Sequence, residues 1–323
     1  MRAQREATLT CGLPRHPNLV YGLDSGTDRQ GCHYLAMQLV PGQSLQEVLM
    51  ERGRLEWREA VTIALQLAGA LGSLAASGVV HRDVKPDNIM VSDDGEYAGS
   101  TKATLIDLGL ARRACDADDD DGSISCKTDV QCSPRRMLRV RTPAFSAVGS
   151  PAFMAPEQVT NARCATTSAD IYGLGATLYV SVTGRLPFDG SNAVRTMQQV
   201  LAGDLRSPSQ FGVQLPPAVE LLIMRMLARE AAKRPPSGLS LEDALRHVLE
   251  RPNDVIGVQA ILEGAAQECA FDRRRWWAWC AATVAFAAVV LTVALKELLA
   301  LRPDSEDETM QYSSGWAQQP GRR

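Results

Sequence analysis

The stretch that decides the fold is HRDVKPDN at residues 81–88, followed nineteen residues later by DLG at 107–109. Apolar residues recur at helical spacing over 58–77 and stop before Gly78, so a helix is predicted to precede the first motif. Thr104–Asp107 reads as a short strand that would carry the start of the second motif. A loop and a strand end are therefore predicted to bring the polar groups of both motifs together.

Four side chains in these motifs fit the chemistry of phosphate transfer. Asp83 could accept a proton from a hydroxyl nucleophile, and Lys85 could neutralise charge on a phosphoryl group. Asn88 and Asp107 offer the hard oxygen ligands that suit Mg²⁺. Each residue alone has an ordinary explanation, because Asp and Asn are also common in turns. The complete string followed by D-x-G favours the chemical interpretation.

With these motifs the sequence resembles the eukaryotic-type (Hanks-type) serine/threonine protein kinases over roughly residues 6–250. The motifs match H-R-D-x-K-x-x-N and, with Leu in place of Phe, D-F-G. GSPAFMAPE at 149–157 resembles the end of an activation segment, and ADIYGLG and KRP contain two further family positions, Asp170 and Arg234. The resemblance implies an α+β, bilobal protein-kinase fold with an incomplete β-rich N-lobe and a mainly helical C-lobe.

The resemblance also implies a role for four residues of the two motifs and for Ser150. Asp83 would be the base that orients the substrate hydroxyl, and Lys85 would contact the γ-phosphate of ATP. Asn88 and Asp107 would hold Mg²⁺. Ser150 lies where the serine/threonine branch places a hydroxyl in contact with the catalytic Asp and Lys. ATP and Mg²⁺ are therefore the implied cofactors, and proteins are the implied substrates.

Other positions would bind the adenine or regulate the site. Met37 resembles the gatekeeper, so the backbone of Gln38 and Val40 would meet the adenine. Arg82 precedes the catalytic aspartate, which is typical of kinases whose phosphorylated activation loop pairs with that arginine. Glu6 would be the glutamate of the N-lobe helix.

Three further positions that match the family pattern would support the fold rather than the chemistry. Asp170 would brace the catalytic loop from a central helix. Arg234 would pair with Glu157 of the A-P-E string.

Helices are also predicted over Ala169–Thr183, Pro217–Arg229 and Leu241–Leu249, and a strand over His33–Val40. 

The sequence departs from the family pattern at its start. A Gly-rich lid over the phosphates and a strand lysine normally precede the N-lobe helix. No lysine precedes Lys85, and Gly22, Gly26 and Gly31 do not form G-x-G-x-x-G. One interpretation is an incomplete copy of an active kinase, and the other is a pseudokinase or scaffold without phosphotransfer. Either way, phosphotransfer by this chain is expected to be weak, because the lid and the lysine position the phosphates.

These observations divide the chain into segments. Residues 1–40 are predicted to be a remnant of the N-lobe, and 41–250 the C-lobe. An activation-segment insertion at about 115–147 is rich in Asp, Ser, Thr and Arg without apolar periodicity, so a flexible solvated segment is predicted there.

The C-terminal part reads as a membrane anchor. WWAWCAATVAFAAVVLTVAL at 276–295 has no charge over twenty residues, long enough for a helix to cross a bilayer. Residues 251–275 would be juxtamembrane, and their final arginines, 273–275, place the kinase domain in the cytoplasm. Residues 296–323 are predicted to be a disordered tail. A buried core helix is the alternative for 276–295, but such a helix usually keeps a polar stripe.

The overall composition excludes several functional classes. The 323 residues are 45% hydrophobic and 22% charged, which is typical of a globular protein. The formal net charge of −3 argues against a nucleic-acid partner, because such proteins usually contain a strongly basic domain. The eight cysteines form no C-x-x-C pair and do not lie near histidines at ligand spacing, so a zinc site is not expected.

Overall fold

The computed structural model describes residues 13–29, 31–93, 101–108, 112–113, 151–161 and 165–267. Several of the predictions fall outside these residues: the roles of Glu6 and Ser150, the insertion at about 115–147, the membrane segment at 276–295 and the tail at 296–323.

The described strands form three small antiparallel sheets. A hairpin pairs β1 with β2, a second sheet has the order β3-β5-β6, and β4 pairs with β7. The strands are β1 Gly22–Thr27, β2 His33–Met37, β3 Gln43–Ser44, β4 Val79–Val80, β5 Ile89–Asp93, β6 Thr101–Leu105 and β7 Arg112–Arg113.

Most of the remaining described chain is helical. The helices are α1 Leu45–Arg52, α2 Trp57–Ala76, α3 Pro156–Thr160, α4 Thr167–Thr183, α5 Ala193–Ala202, α6 Pro217–Met226, α7 Gly238–Glu250 and α8 over 255–267. The predicted helices correspond to α2, α4, α6 and α7 within a few residues. Four of the described helices were not predicted from the sequence: α1, α3 and α5, which are eight, five and ten residues long, and α8, which lies within the predicted juxtamembrane segment at 251–275.

The core is built around α4. Almost every residue of α4 is buried, because the helix is apolar on all sides and packs against α2 and α6. Tyr172 and Tyr179 of α4 are among the largest fully buried side chains. The core also includes Val258 and Leu262 of α8, so apolar packing continues beyond residue 250.

Among the described residues, α2 is the one helix long and apolar enough to cross a membrane by length and composition. Half of its apolar window is buried inside the protein. The buried side chains, which include Ile63, Leu67 and Leu74, pack in the same core as α4. Helix α2 is therefore accounted for as a core helix of the C-lobe.

The hairpin of β1 and β2 differs from the rest of the fold. None of its described residues between 22 and 37 is buried, and Leu39 just beyond it is 90% exposed. The predicted strand over His33–Val40 ends earlier, at Met37. After it, Gly42 adopts a φ of 107°, and a Cβ there would collide with the carbonyl of Val91. The chain thus needs glycine to cross from the hairpin onto the second sheet.

Candidate functional site

The first motif forms a loop between two short strands. Helix α2 ends at Ala76, Gly78 adopts a positive φ of 69°, and β4 leads into residue 81. A 3₁₀ turn at Pro86–Asn88 then starts β5, with the Asn88 N–H donating to the Lys85 carbonyl at 3.0 Å. Proline at the first position suits this turn, since its ring fixes φ and the missing N–H is not needed there.

The two predicted catalytic residues and one predicted Mg²⁺ ligand form a cluster in which Lys85 and Asn88 both bond to Asp83. The Lys85 Nζ contacts Asp83 Oδ2 at 2.6 Å. The Asn88 Nδ2 donates to the same oxygen at 3.0 Å and to the Asp83 carbonyl at 2.9 Å. The side chains of Lys85 and Asp83 are only 17% and 15% exposed. This partly buried cluster fixes the orientation of the Asp83 carboxylate.

Asp107 lies on the neighbouring strand end. It comes two residues after β6, and the Ile106 N–H donates to the Asn88 carbonyl at 2.8 Å. Asp107 is exposed and has a φ of 62°, while Leu108 next to it is buried. Because the Asn88 amide nitrogen is already used by Asp83, its amide oxygen is the atom left for coordination. Asn88 and Asp107 therefore fit Mg²⁺, which takes few protein ligands when phosphates and water supply the others.

A buried carboxylate holds the start of the predicted catalytic loop, residues 81–88. The two oxygens of Asp170 in α4 accept the N–H groups of His81 at 2.8 Å and Arg82 at 2.7 Å. Arg82 adopts a φ of 71°, which is uncommon for a non-glycine residue and persists only when its surroundings enforce it. Burial raises the pKa of Asp170 to about 7, although these two N–H groups oppose the rise.

His81 is fully buried beside the predicted catalytic residues. Burial lowers the pKa of His81 to about 4, and the nearby carboxylates of Asp83 and Asp107 only partly oppose that effect. The imidazole is therefore neutral at physiological pH. Its Nδ1 accepts the Asp83 N–H at 3.3 Å, so the histidine packs under the loop rather than offering a charge to a substrate.

The resemblance predicted a pair between Arg234 and Glu157, and the structure contains it. The guanidinium contacts the two carboxylate oxygens at 2.7 and 2.9 Å, which is a bidentate geometry. The ring of Tyr172 lies 4.9 Å from the guanidinium carbon. This contact joins the A-P-E string, at the start of α3, to the loop before α7.

The predicted adenine-binding positions lie at the end of the hairpin. Met37 is 40% exposed, and the Gln38 N–H donates to the Tyr21 carbonyl at 3.1 Å. Val40 is half-buried. Within the described residues, no hydrogen bond joins these three to the catalytic loop, so their roles remain predictions.

An amide network that was not predicted from the sequence holds the strand before the second motif. The Asn18 Nδ2 donates to Gln66 Oε1 at 2.8 Å and to the Ala103 carbonyl at 2.7 Å. Gln66 of α2 also accepts the Ala103 N–H and donates to the Thr101 carbonyl. The Leu105 N–H donates to the Asn18 carbonyl. These bonds fix β6, which leads into the second motif. The sequence feature that could have indicated this network is Gln66, a polar residue within the apolar face of the predicted helix.

Comparison with known proteins gives a consistent match. A family model described as protein kinase domain matches residues 1–249. The chain is 32% identical over 249 residues to serine/threonine-protein kinase pkn3 of Myxococcus xanthus, covering 76% of this chain and 42% of pkn3. It is 33% identical over 256 residues to PknK of Mycobacterium tuberculosis, covering 77% and 20%. It is 35% identical over 260 residues to PkaA of Streptomyces coelicolor, covering 80% and 41%. The chain thus matches less than half the length of each of these relatives.

Proposed function

Because the chain belongs to the protein kinase domain family, we propose that it transfers the γ-phosphate of ATP to serine and threonine hydroxyls of proteins. The pkn3, PknK and PkaA relatives are all named serine/threonine-protein kinases. Lys85, two residues after Asp83, resembles the same branch of the family.

The observation that carries the proposal is the constrained carboxylate of Asp83. With Lys85 and Asn88 both bonded to Oδ2, the carboxylate is positioned to accept a hydrogen bond from an incoming hydroxyl and then its proton. Lys85 would stabilise negative charge on the phosphoryl group during transfer. Asn88 and Asp107 would hold Mg²⁺, which would neutralise negative charge on the phosphates of ATP.

A membrane-tethered pseudokinase or scaffold is the second candidate. The observation behind it is that residues 1–84 contain no lysine, whereas in the family a lysine ahead of the catalytic loop holds the α- and β-phosphates. The first candidate is stronger, since a scaffold has no structural need for the Asp83, Lys85 and Asn88 cluster.

We also propose the domain organisation and location that the sequence predicts. Residues 1–40 form a partial N-lobe and 41–250 the C-lobe, with an insertion at about 115–147. Residues 251–275 lead to a single membrane span at 276–295, and a tail follows at 296–323. Support comes from the uncharged twenty-residue stretch and the arginines before it. Separation of membrane and soluble fractions, with the full chain and a 1–275 truncation, tests the span.

Phosphotransfer is tested with radiolabelled ATP, Mg²⁺ and myelin basic protein. Transfer by the wild type is expected to disappear in Asp83→Asn, which keeps the shape of the side chain but removes the base. Asp93→Asn is the matched control, because Asp93 is an exposed carboxylate at the end of β5 and should not affect transfer. A wild type that is thermally stabilised by MgATP but transfers no phosphate would favour the scaffold.

A further inference from the structure

We propose that Gln158 is a positioning residue for Asp83, joining the end of the activation segment to the catalytic loop through one side-chain amide. This inference rests on the proposed function, because it assigns Gln158 to the phosphotransfer site. Gln158 lies in α3, one residue after Glu157, and it is not one of the family positions identified from the sequence.

The two ends of the Gln158 amide bond to different segments. Its Oε1 accepts the N–H of Ala155 at 2.9 Å, at the start of its own helix. Its Nε2 donates to the carbonyl of Arg82 at 3.0 Å, a residue 76 positions away in the chain. A backbone N–H can only donate and a carbonyl can only accept, so the partners themselves fix the orientation of this amide.

The residue that Gln158 holds is the one directly before Asp83. Arg82 is in the left-handed region, with a φ of 71°. Its N–H is bound by Asp170 from α4, and its carbonyl is bound by Gln158 from α3. The strained residue is therefore held on both sides, by two helices that lie 76 and 88 positions away from it in the sequence. The peptide group that carries Asp83 is fixed as a result.

The same short helix contains the anchor that holds it in place. Glu157 is paired with the buried guanidinium of Arg234, so α3 is attached to the C-lobe independently of the catalytic loop. Gln158 can thus transmit the position of α3 to Arg82. A shift of α3 would release the Arg82 carbonyl and let the Asp83 carboxylate turn away from the substrate hydroxyl.

A merely structural role for Gln158 would use only its oxygen. The Ala155 contact resembles a helix cap, in which a side chain at the third helical position accepts the N–H of the residue before the helix. Glu at position 158 would keep this acceptor, but it would lose the donor and place negative charge against the Arg82 carbonyl. Gln158→Glu therefore separates the positioning contact from the cap.

The test compares wild type, Gln158→Glu and Gln158→Ala, with Gln199→Glu as control. Gln199 is an exposed residue of α5, so its variant makes the same chemical change away from the site. In Gln158→Glu, kcat is expected to fall about tenfold or more, because small misplacement of a catalytic group has effects of this order. KM for ATP should stay within about twofold, and Tm should match the wild type because the cap is kept. An unchanged kcat in Gln158→Glu would overturn the proposal.

Hydrogen exchange provides a readout that does not need activity. Amides of residues 81–88 are expected to exchange faster in Gln158→Glu and in Gln158→Ala, while those of α6 stay unchanged. If the wild type transfers no phosphate, the proposed function fails, and the exchange at 81–88 still decides whether Gln158 holds the loop. Equal exchange at 81–88 in all four proteins would overturn the inference.

Discussion

Replacing Glu157 with Gln should destabilise the C-lobe strongly, because it leaves the buried charge of Arg234 without its counter-ion. The Arg234 side chain is 0% exposed, and that of Glu157 is 22% exposed. Gln has nearly the same shape as Glu, so the variant removes the charge with little change in packing. The result therefore reports on the ion pair itself.

The structure sets the size of this effect. All five N–H donors of Arg234 have acceptors: the two oxygens of Glu157 and the carbonyls of Ala228, Ser168 and Arg229. In Glu157→Gln one of these acceptors becomes an NH₂ group that faces another donor. Removing one partner of a buried ion pair typically costs about 3–5 kcal/mol, and we expect a loss in that range.

Equilibrium unfolding in urea measures this loss without adding salt that would screen the charges. The matched control is Glu230→Gln. Glu230 pairs with Lys233 at 2.8 Å, one residue before Arg234, but both side chains are about 60% exposed. The control should change the free energy of unfolding by about 1 kcal/mol or less. A loss in Glu157→Gln no larger than in the control would refute the reasoning.

Two further variants test the packing and the titration of the site. Gly173→Ala in α4 would place a Cβ 2.9 Å from the carbonyl oxygen of Val84, the residue after Asp83. The free energy of unfolding in urea should therefore fall by about 1–3 kcal/mol, and phosphotransfer should fall as well. Gly72→Ala in α2 is the contrasting variant, because the nearest atom to a Cβ at this position is a backbone atom of Gly238 at 4.0 Å. This variant should raise the free energy of unfolding by up to about 1 kcal/mol, since Ala favours a helix over Gly. The pKa of His81 is about 4 in the folded state against 6.5 unfolded, so its contribution to stability is present above pH 6.5 and is lost as the pH falls towards 4. Between pH 7 and 5 this loss is about 2 kcal/mol, which His81→Phe avoids. Asp170 has a raised pKa, so its contribution to stability increases as the pH falls, but this contribution is present in both wild type and His81→Phe. Unfolding in urea at pH 7 and pH 5 should therefore show that the free energy of unfolding of the wild type falls relative to that of His81→Phe. An unchanged difference between the two proteins would contradict the lowered pKa of His81.

The sequence predicted the main helices because their apolar residues repeat over many turns. Helix α2 was predicted over 58–77 and lies at Trp57–Ala76. Short helices contain too few apolar residues to show a helical period, so α1, α3 and α5 were not predicted. The hairpin strand was predicted to reach Val40 but ends at Met37, because its pairing with β1 ends at the Gly22–Met37 pair.

The sequence by itself determined which chemical groups are available and in what order. Asp83, Lys85, Asn88 and Asp107 were identified from residue type and spacing, since the chemistry of phosphate transfer requires those groups. The likeness to a known family also predicted the pairing of residues 157 and 234.

Only the tertiary structure decided how the backbone of the site is held. The left-handed conformation of Arg82 depends on acceptors and donors from Asp170 and Gln158, which are 88 and 76 positions away. The bonds between Asn18 and Gln66 span 48 positions. Local sequence patterns report preferences over a few residues, whereas these hydrogen bonds form because the packing of apolar helices brings distant polar groups together.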